Sequence, residues 1–123
     1  MSSTFEKPKT SAIACDFSAI EPENRDQFVM MAKQLFAQVQ EVRELPDGYA
    51  LRLPNDTDTF LHTAGFIAHE RQCCPFLDFA LELSAGDGPF WLQLTGQEGV
   101  KQFLQVELGL HLNETNAQTA GLR

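Results

Sequence analysis

The sequence is poor in cations: 9 Lys and Arg stand against 17 Asp and Glu, giving a formal net charge of −8. A phosphate backbone is held by a surplus of Lys and Arg, so this deficit argues against nucleic acid as a partner, and no basic cluster supplies a local exception. An anionic membrane surface is disfavoured for the same reason. Long apolar runs are missing too. None approaches the roughly 20 residues that span a bilayer, and the opening Met1-Ser2-Ser3-Thr4-Phe5-Glu6-Lys7 contains no apolar signal region. The expected location is the cytoplasm.

Cysteine is scarce and uneven: Cys15, Cys73 and Cys74. An odd count with two adjacent members does not read as a secreted disulfide framework. Adjacent cysteines close a disulfide only through a cramped ring, so reduced thiols are expected. There is no Cys-x-x-Cys, no P-loop or Rossmann glycine pattern and no Gly-x-Ser-x-Gly elbow. A Cys–His hydrolase needs a thiolate beside a histidine within a deep cleft, which is hard to build at this length. Catalysis is therefore the weaker expectation.

What is present is one domain's worth of ordinary globular sequence: 123 residues, 43% hydrophobic and 21% charged. Residues 1–10 read as a flexible leader, 11–112 as a single domain and 113–123 as a disordered tail. Ser11–Phe17 alternates, with Ile13, Cys15 and Phe17 on one face, and predicts a strand. Ser18 with Glu21 suggests a capping box and Pro22 a first helical turn. Phe28, Met31, Ala32, Leu35, Phe36, Val39 and Val42 then recur at helical spacing.

Leu45-Pro46-Asp47-Gly48 is a turn signal, and Tyr49, Leu51 and Leu53 alternate as a strand. A helix is expected from about Thr57 to Cys73, burying Phe60, Leu61, Ala64, Ile67 and Ala68 and stopped by Pro75. Phe79, Leu81 and Leu83, then Phe90, Leu92 and Leu94, alternate around Gly86-Asp87-Gly88-Pro89 as a hairpin. Gln97–Leu108 predicts a last helix. The fold class is α+β: a two-layer sandwich, largely antiparallel sheet with helices on one face, in the order β-α-β-α-β-β-α, with a short extra strand suggested near Val42–Leu45.

Chemistry is concentrated at the end of the second helix. His62, Phe66, His69 and Cys73 share a stripe, with Glu70 beside it and Cys74 beyond it towards the buried face. One imidazole, one carboxylate and two thiols thus fall within about one turn, a ligand spacing for a soft ion: zinc, copper(I), mercury(II) or arsenic(III). Cys15 adds a third sulfur if the helix ends above its strand. The candidate metal ligands are Cys73, Cys74, Glu70, Cys15 and His69. A redox role is disfavoured, because a helix C-terminus and Glu70 both oppose a thiolate. The competing reading is a non-catalytic interaction module with packing cysteines. In it, Trp91 lies on the sheet face opposite the core, over Ala50 and Ala80, as a homodimer contact.

At Glu70-Arg71-x-Cys73-Cys74-Pro75-Phe76-Leu77-x-Phe79 and Trp91-Leu92-x-Leu94-Thr95-Gly96-x-Glu98-Gly99-Val100-Lys101, the chain resembles a family of small, largely uncharacterised bacterial proteins. Ala14-Cys15-Asp16 and Glu44-Leu45-Pro46-Asp47-Gly48-Tyr49 extend the resemblance to about residues 12–105. Similar sequences are sometimes found alongside metal- or metalloid-response functions. The resemblance implies that Cys15, Glu70, Cys73 and Cys74 occupy family positions.

Overall fold

A computed structural model describes residues 13–109. A 3-10 turn at Phe17–Ala19 leads into helix α1, Pro22–Ala37; strands β1, Glu41–Leu45, and β2, Gly48–Leu53, follow. Helix α2, Thr57–Cys73, precedes strands β3, Leu77–Leu83, and β4, Phe90–Gly96. A last helix, α3, covers residues 100–109. The sheet is antiparallel throughout, in the order β1-β2-β4-β3. The expected α+β sandwich is thus observed, and no helix among the described residues is long and apolar enough to cross a membrane. The leader at 1–10 and the tail at 113–123 lie outside the described residues.

Alternation decides which face of the sheet meets the helices. Leu51 and Leu53 of β2 and Phe90, Leu92 and Leu94 of β4 are buried against Phe28, Leu35 and Phe36 of α1, Phe66 of α2 and Leu104 and Leu108 of α3. The register carries this across the sheet, with Leu51 opposite Leu92 and Leu92 opposite Leu81. Each fully buried large apolar side chain contributes about 1.5–3 kcal/mol. At Gly48 the β2 backbone runs so close to β4 that a Cβ would collide with the Leu94 carbonyl oxygen.

Three expectations need correction. Residues 13–16 form no strand; the segment turns at Phe17–Ala19 instead, because the Asp16 carboxylate accepts hydrogen bonds from both the backbone N–H and the hydroxyl of Ser18. That local bond competes with an extended chain. The fourth strand is β1, where the short extra strand was expected near Val42–Leu45, so the described order is α-β-β-α-β-β-α. With Ser18 thus engaged, α1 starts at Pro22 with no side-chain cap, and it ends at Ala37, short of Val39 and Val42.

The second correction concerns the face of α2. Its buried residues are Thr59, Thr63, Phe66 and Cys73, whereas Leu61 is 58% exposed and Ala64 and Ala68 are exposed. Phe60 and Ile67 of the expected stripe are half-buried against the core, but the helix is turned from the expected orientation, because its threonines can be buried at little cost. The Thr63 hydroxyl donates to the Thr59 carbonyl at 2.7 Å, and the Thr59 hydroxyl donates to the capping Asp56 carboxylate at 3.1 Å.

The third concerns Trp91. It does lie on the helix-free face, between Arg52 and Glu82 in register, yet it is only 6% exposed. The Arg43 guanidinium from β1 sits 4.4 Å from the ring centroid and covers it. The face therefore presents no open aromatic patch. Trp91→Ala is expected to destabilise the protein by about 2–3 kcal/mol through lost packing. Urea denaturation measures this, and an unchanged midpoint would contradict the covered ring.

Candidate metal centre

Helix α2 stops at Cys73, and its last carbonyls need partners outside the helix. Two backbone donors take them. The N–H of Cys74 donates to the Glu70 carbonyl at 2.7 Å, and the N–H of Asp16 donates to the Cys73 carbonyl at 2.6 Å. The second bond pins the segment before α1 to the end of α2, which brings Cys15 onto Cys74. These two are joined in a disulfide that closes 59 residues of chain. Chain-entropy arguments give such a loop a stabilisation of about 4 kcal/mol.

This corrects the expectation of three reduced thiols: the free thiol is Cys73 alone. The adjacent pair does not bridge to itself, because the third sulfur offers an unconstrained alternative. The proximity of Cys15 to Cys74, an expectation from the sequence, is present. The Cys73 sulfur lies 3.4 Å from that of Cys74, and all three sulfurs fall within 4.8 Å of one another. Cys73 and Cys74 are buried while Cys15 is exposed.

The other expected ligands are placed differently. Glu70 is half-buried and approaches one member of the cluster: the Cys73 thiol donates to its Oε1 at 3.8 Å. His69 stands outside the sulfur group, its ring edge-on to Phe28 at a centroid distance of 6.0 Å. His62 is exposed. Of the expected stripe, Phe66 and Cys73 face the core and His69 is half-buried.

Burial, the Glu70 charge and the hydrogen bond to Glu70 push the Cys73 thiol up from 9.0 to about 12. Compared with an ordinary thiol, the thiolate fraction at neutral pH falls about 10³-fold. Cys73 is thus a protonated, weakly nucleophilic thiol. Burial also raises Glu70 from 4.5 to about 7, with Glu107 adding to the rise and the Cys73 hydrogen bond opposing it.

Beside the sulfurs opens an apolar cavity of about 300 Å³. Phe28, Phe36, Phe66, Phe103 and Leu104 line it, and Cys15, Cys73 and Glu70 contribute to the same wall. Nothing in the sequence pattern announced this space, since its residues come from the N-terminal segment, three separate helices and Leu94 of β4. A count of 10 Phe in 123 residues is the one signal that hinted at it.

Compared with protein-family models, with curated proteins and with solved structures, the chain matches none of them.

Two outcomes are expected from the titrating groups. The folded state keeps the Glu70 proton up to about pH 7, whereas the unfolded chain releases it near 4.5. Folding binds the extra proton between these values, so this contribution is complete below pH 4.5 and is lost as pH rises to 7. Glu70→Gln keeps an acceptor for Cys73 and removes the charge. It is expected to stabilise the protein by about 1–3 kcal/mol at pH 8 and by nothing measurable at pH 4.5. Urea midpoints at both pH values check the sign. Separately, iodoacetamide at pH 8 is expected to alkylate Cys73 at least ~100-fold more slowly in the native protein than in urea. Equal rates would contradict the raised thiol.

Proposed function

We propose that this protein, in its reduced form, binds a soft metal or metalloid ion through the sulfurs of Cys15, Cys73 and Cys74. The observation that carries the reading is the convergence of three sulfurs within 4.8 Å, two of them buried. Glu70 is an outer partner that holds the Cys73 proton, and neither it nor His69 completes the donor set.

Proton accounting ranks the candidate ions. Zinc and copper(I) on three thiolates form complexes of net negative charge, which burial and the neighbouring carboxylates disfavour, whereas mercury(II) on two thiolates is neutral. A trivalent metalloid hydroxide reacts differently. Arsenous acid and three thiols condense to a neutral tris-thiolate, and each thiol proton leaves with a hydroxide as water. No net charge is created beside Glu70 and Glu107, which suits an acidic and partly apolar setting. Arsenite, whose neutral complex uses all three sulfurs, and mercury(II) rank above zinc on this reasoning, and zinc binds with an affinity that rises with pH.

A site that works only with reduced thiols fits a reducing compartment, so we place the protein in the cytoplasm. The Cys15–Cys74 disulfide favours a second reading, a thiol redox protein. Exchange requires a thiolate, however, and the protonated Cys73 is a poor attacking group. We therefore read the disulfide as the oxidised, closed form of the ion site. The proposal extends to the bacterial proteins that the Glu-x-x-Cys-Cys-Pro-Phe string resembles, which would carry the same thiols and carboxylate.

The test is native mass spectrometry of the reduced full chain with zinc, mercury(II) or arsenite, alongside a Cys73→Ser/Cys74→Ser control. One arsenic per chain is expected, with three thiols lost to a thiol reagent and no adduct in the control. Absence of any adduct with all three ions would refute ion binding and return the cysteines to a packing role.

A further inference from the structure

The cavity of about 300 Å³ is much larger than a bare ion requires, and it is apolar where an ion is not. An inorganic ion on the sulfurs would leave the space between Phe28, Phe36, Phe66 and Leu104 unfilled. Cavities of about 150 Å³ with walls of this kind hold a benzene ring, and small-molecule pockets start at about 300 Å³. Thiols and an aromatic cavity on one wall call for a ligand with a thiophilic atom at one end and an apolar group at the other.

We propose that the site takes a monosubstituted organic compound of a trivalent metalloid, of the type R–As(OH)₂, with its organic group R in the aromatic cavity and its arsenic on the sulfurs of Cys15 and Cys73. This rests on the ion-binding reading above and names its ligand class. Cys15 and Cys73 are chosen because both contribute to the cavity wall.

The chemistry balances in two steps. An external thiol reductant first opens the Cys15–Cys74 bond: two reductant thiols become one disulfide, and their electrons and protons yield the Cys15 and Cys74 thiols. R–As(OH)₂ then condenses with the thiols of Cys15 and Cys73. Two As–O bonds break and two As–S bonds form, and two waters leave with the thiol protons. Arsenic stays trivalent and the As–C bond is untouched. The product is neutral, so it enters the apolar space without a buried charge.

The aromatic rings select for size. A phenyl group stacks among Phe28, Phe36 and Phe66, two of whose pairs already lie at centroid distances of 5.8 and 5.9 Å. A methyl group makes the same two As–S bonds but leaves most of the cavity empty. The difference between the two therefore reports the cavity and cancels the arsenic–sulfur chemistry.

The experiment equilibrates the reduced full chain with phenylarsonous acid, methylarsonous acid or arsenite against dithiothreitol as a competing dithiol. Phenyl is expected to favour the protein over the competitor at least about tenfold more than methyl does. Ala32→Phe, which fills the cavity from α1, is expected to abolish that preference while methyl affinity is retained. Cys15→Ser removes one of the two As–S bonds and is expected to lower the partition of phenylarsonous acid onto the protein at least about tenfold. Equal phenyl and methyl partition in the parent protein overturns the proposal and needs no variant. Undiminished phenyl partition in Cys15→Ser overturns the assignment to Cys15 and Cys73. Binding of methylarsonous acid and arsenite without a phenyl preference sinks this inference alone, whereas no binding of any of the three sinks the ion-binding reading with it.

Discussion

The backbone N–H of Asp16 donates to the Cys73 carbonyl at 2.6 Å, and the sulfur cluster exists because of that bond. A helix end leaves carbonyls without intrahelical partners, and a buried end must find them elsewhere. Here Pro75 prevents the chain from continuing as helix, and the incoming segment before α1 supplies a donor instead. A backbone requirement thereby fixes the position of Cys15, far away in sequence, against Cys73 and Cys74. The Cys15–Cys74 disulfide then locks the same arrangement covalently.

The electrostatics follow from this placement. Thiols at the C-terminal end of a helix meet its negative dipole end, and Glu70 one turn back adds a carboxylate. Both oppose a thiolate, so the site is unsuited to nucleophilic thiol chemistry and to fast exchange. Condensation with a neutral metalloid hydroxide makes no such demand, because the thiol proton departs within a water molecule. The apolar cavity beside the cluster points the same way, since a neutral adduct is the kind of species it tolerates.

Much of the fold was legible in the sequence. Strands β2, β3 and β4 were readable from their alternating apolar residues, and α2 from Thr57 to Cys73 was bounded by its turn signals and Pro75. The failures have separate physical causes. Ile13, Cys15 and Phe17 alternate over too few residues to outweigh the Asp16–Ser18 turn. Thr59 and Thr63 look polar in a pattern yet are buried, because each hydroxyl bonds within its own helix or cap. Trp91 was placed on the correct face, but its cover is Arg43 from β1, a strand whose outward residues carry little pattern.

At the site, Glu70, Cys73 and Cys74 were readable as neighbours from helical spacing, whereas Cys15 was expected to approach from a strand that residues 13–16 do not form and is brought there by the Asp16–Cys73 backbone bond. The oxidation of Cys15 and Cys74 was not readable, since it depends on the distance between two segments separated by 59 residues. The cavity was invisible for a related reason: its wall is assembled by tertiary packing of several elements and follows no single period.

X-ray absorption at the arsenic edge of the reduced, arsenite-loaded chain addresses the central claim, that three cysteine sulfurs converge as one ligand set. The account predicts a first shell of three sulfurs and no oxygen, falling to two sulfurs in Cys15→Ser. A first shell dominated by oxygen, or three sulfurs persisting in Cys15→Ser, would contradict it.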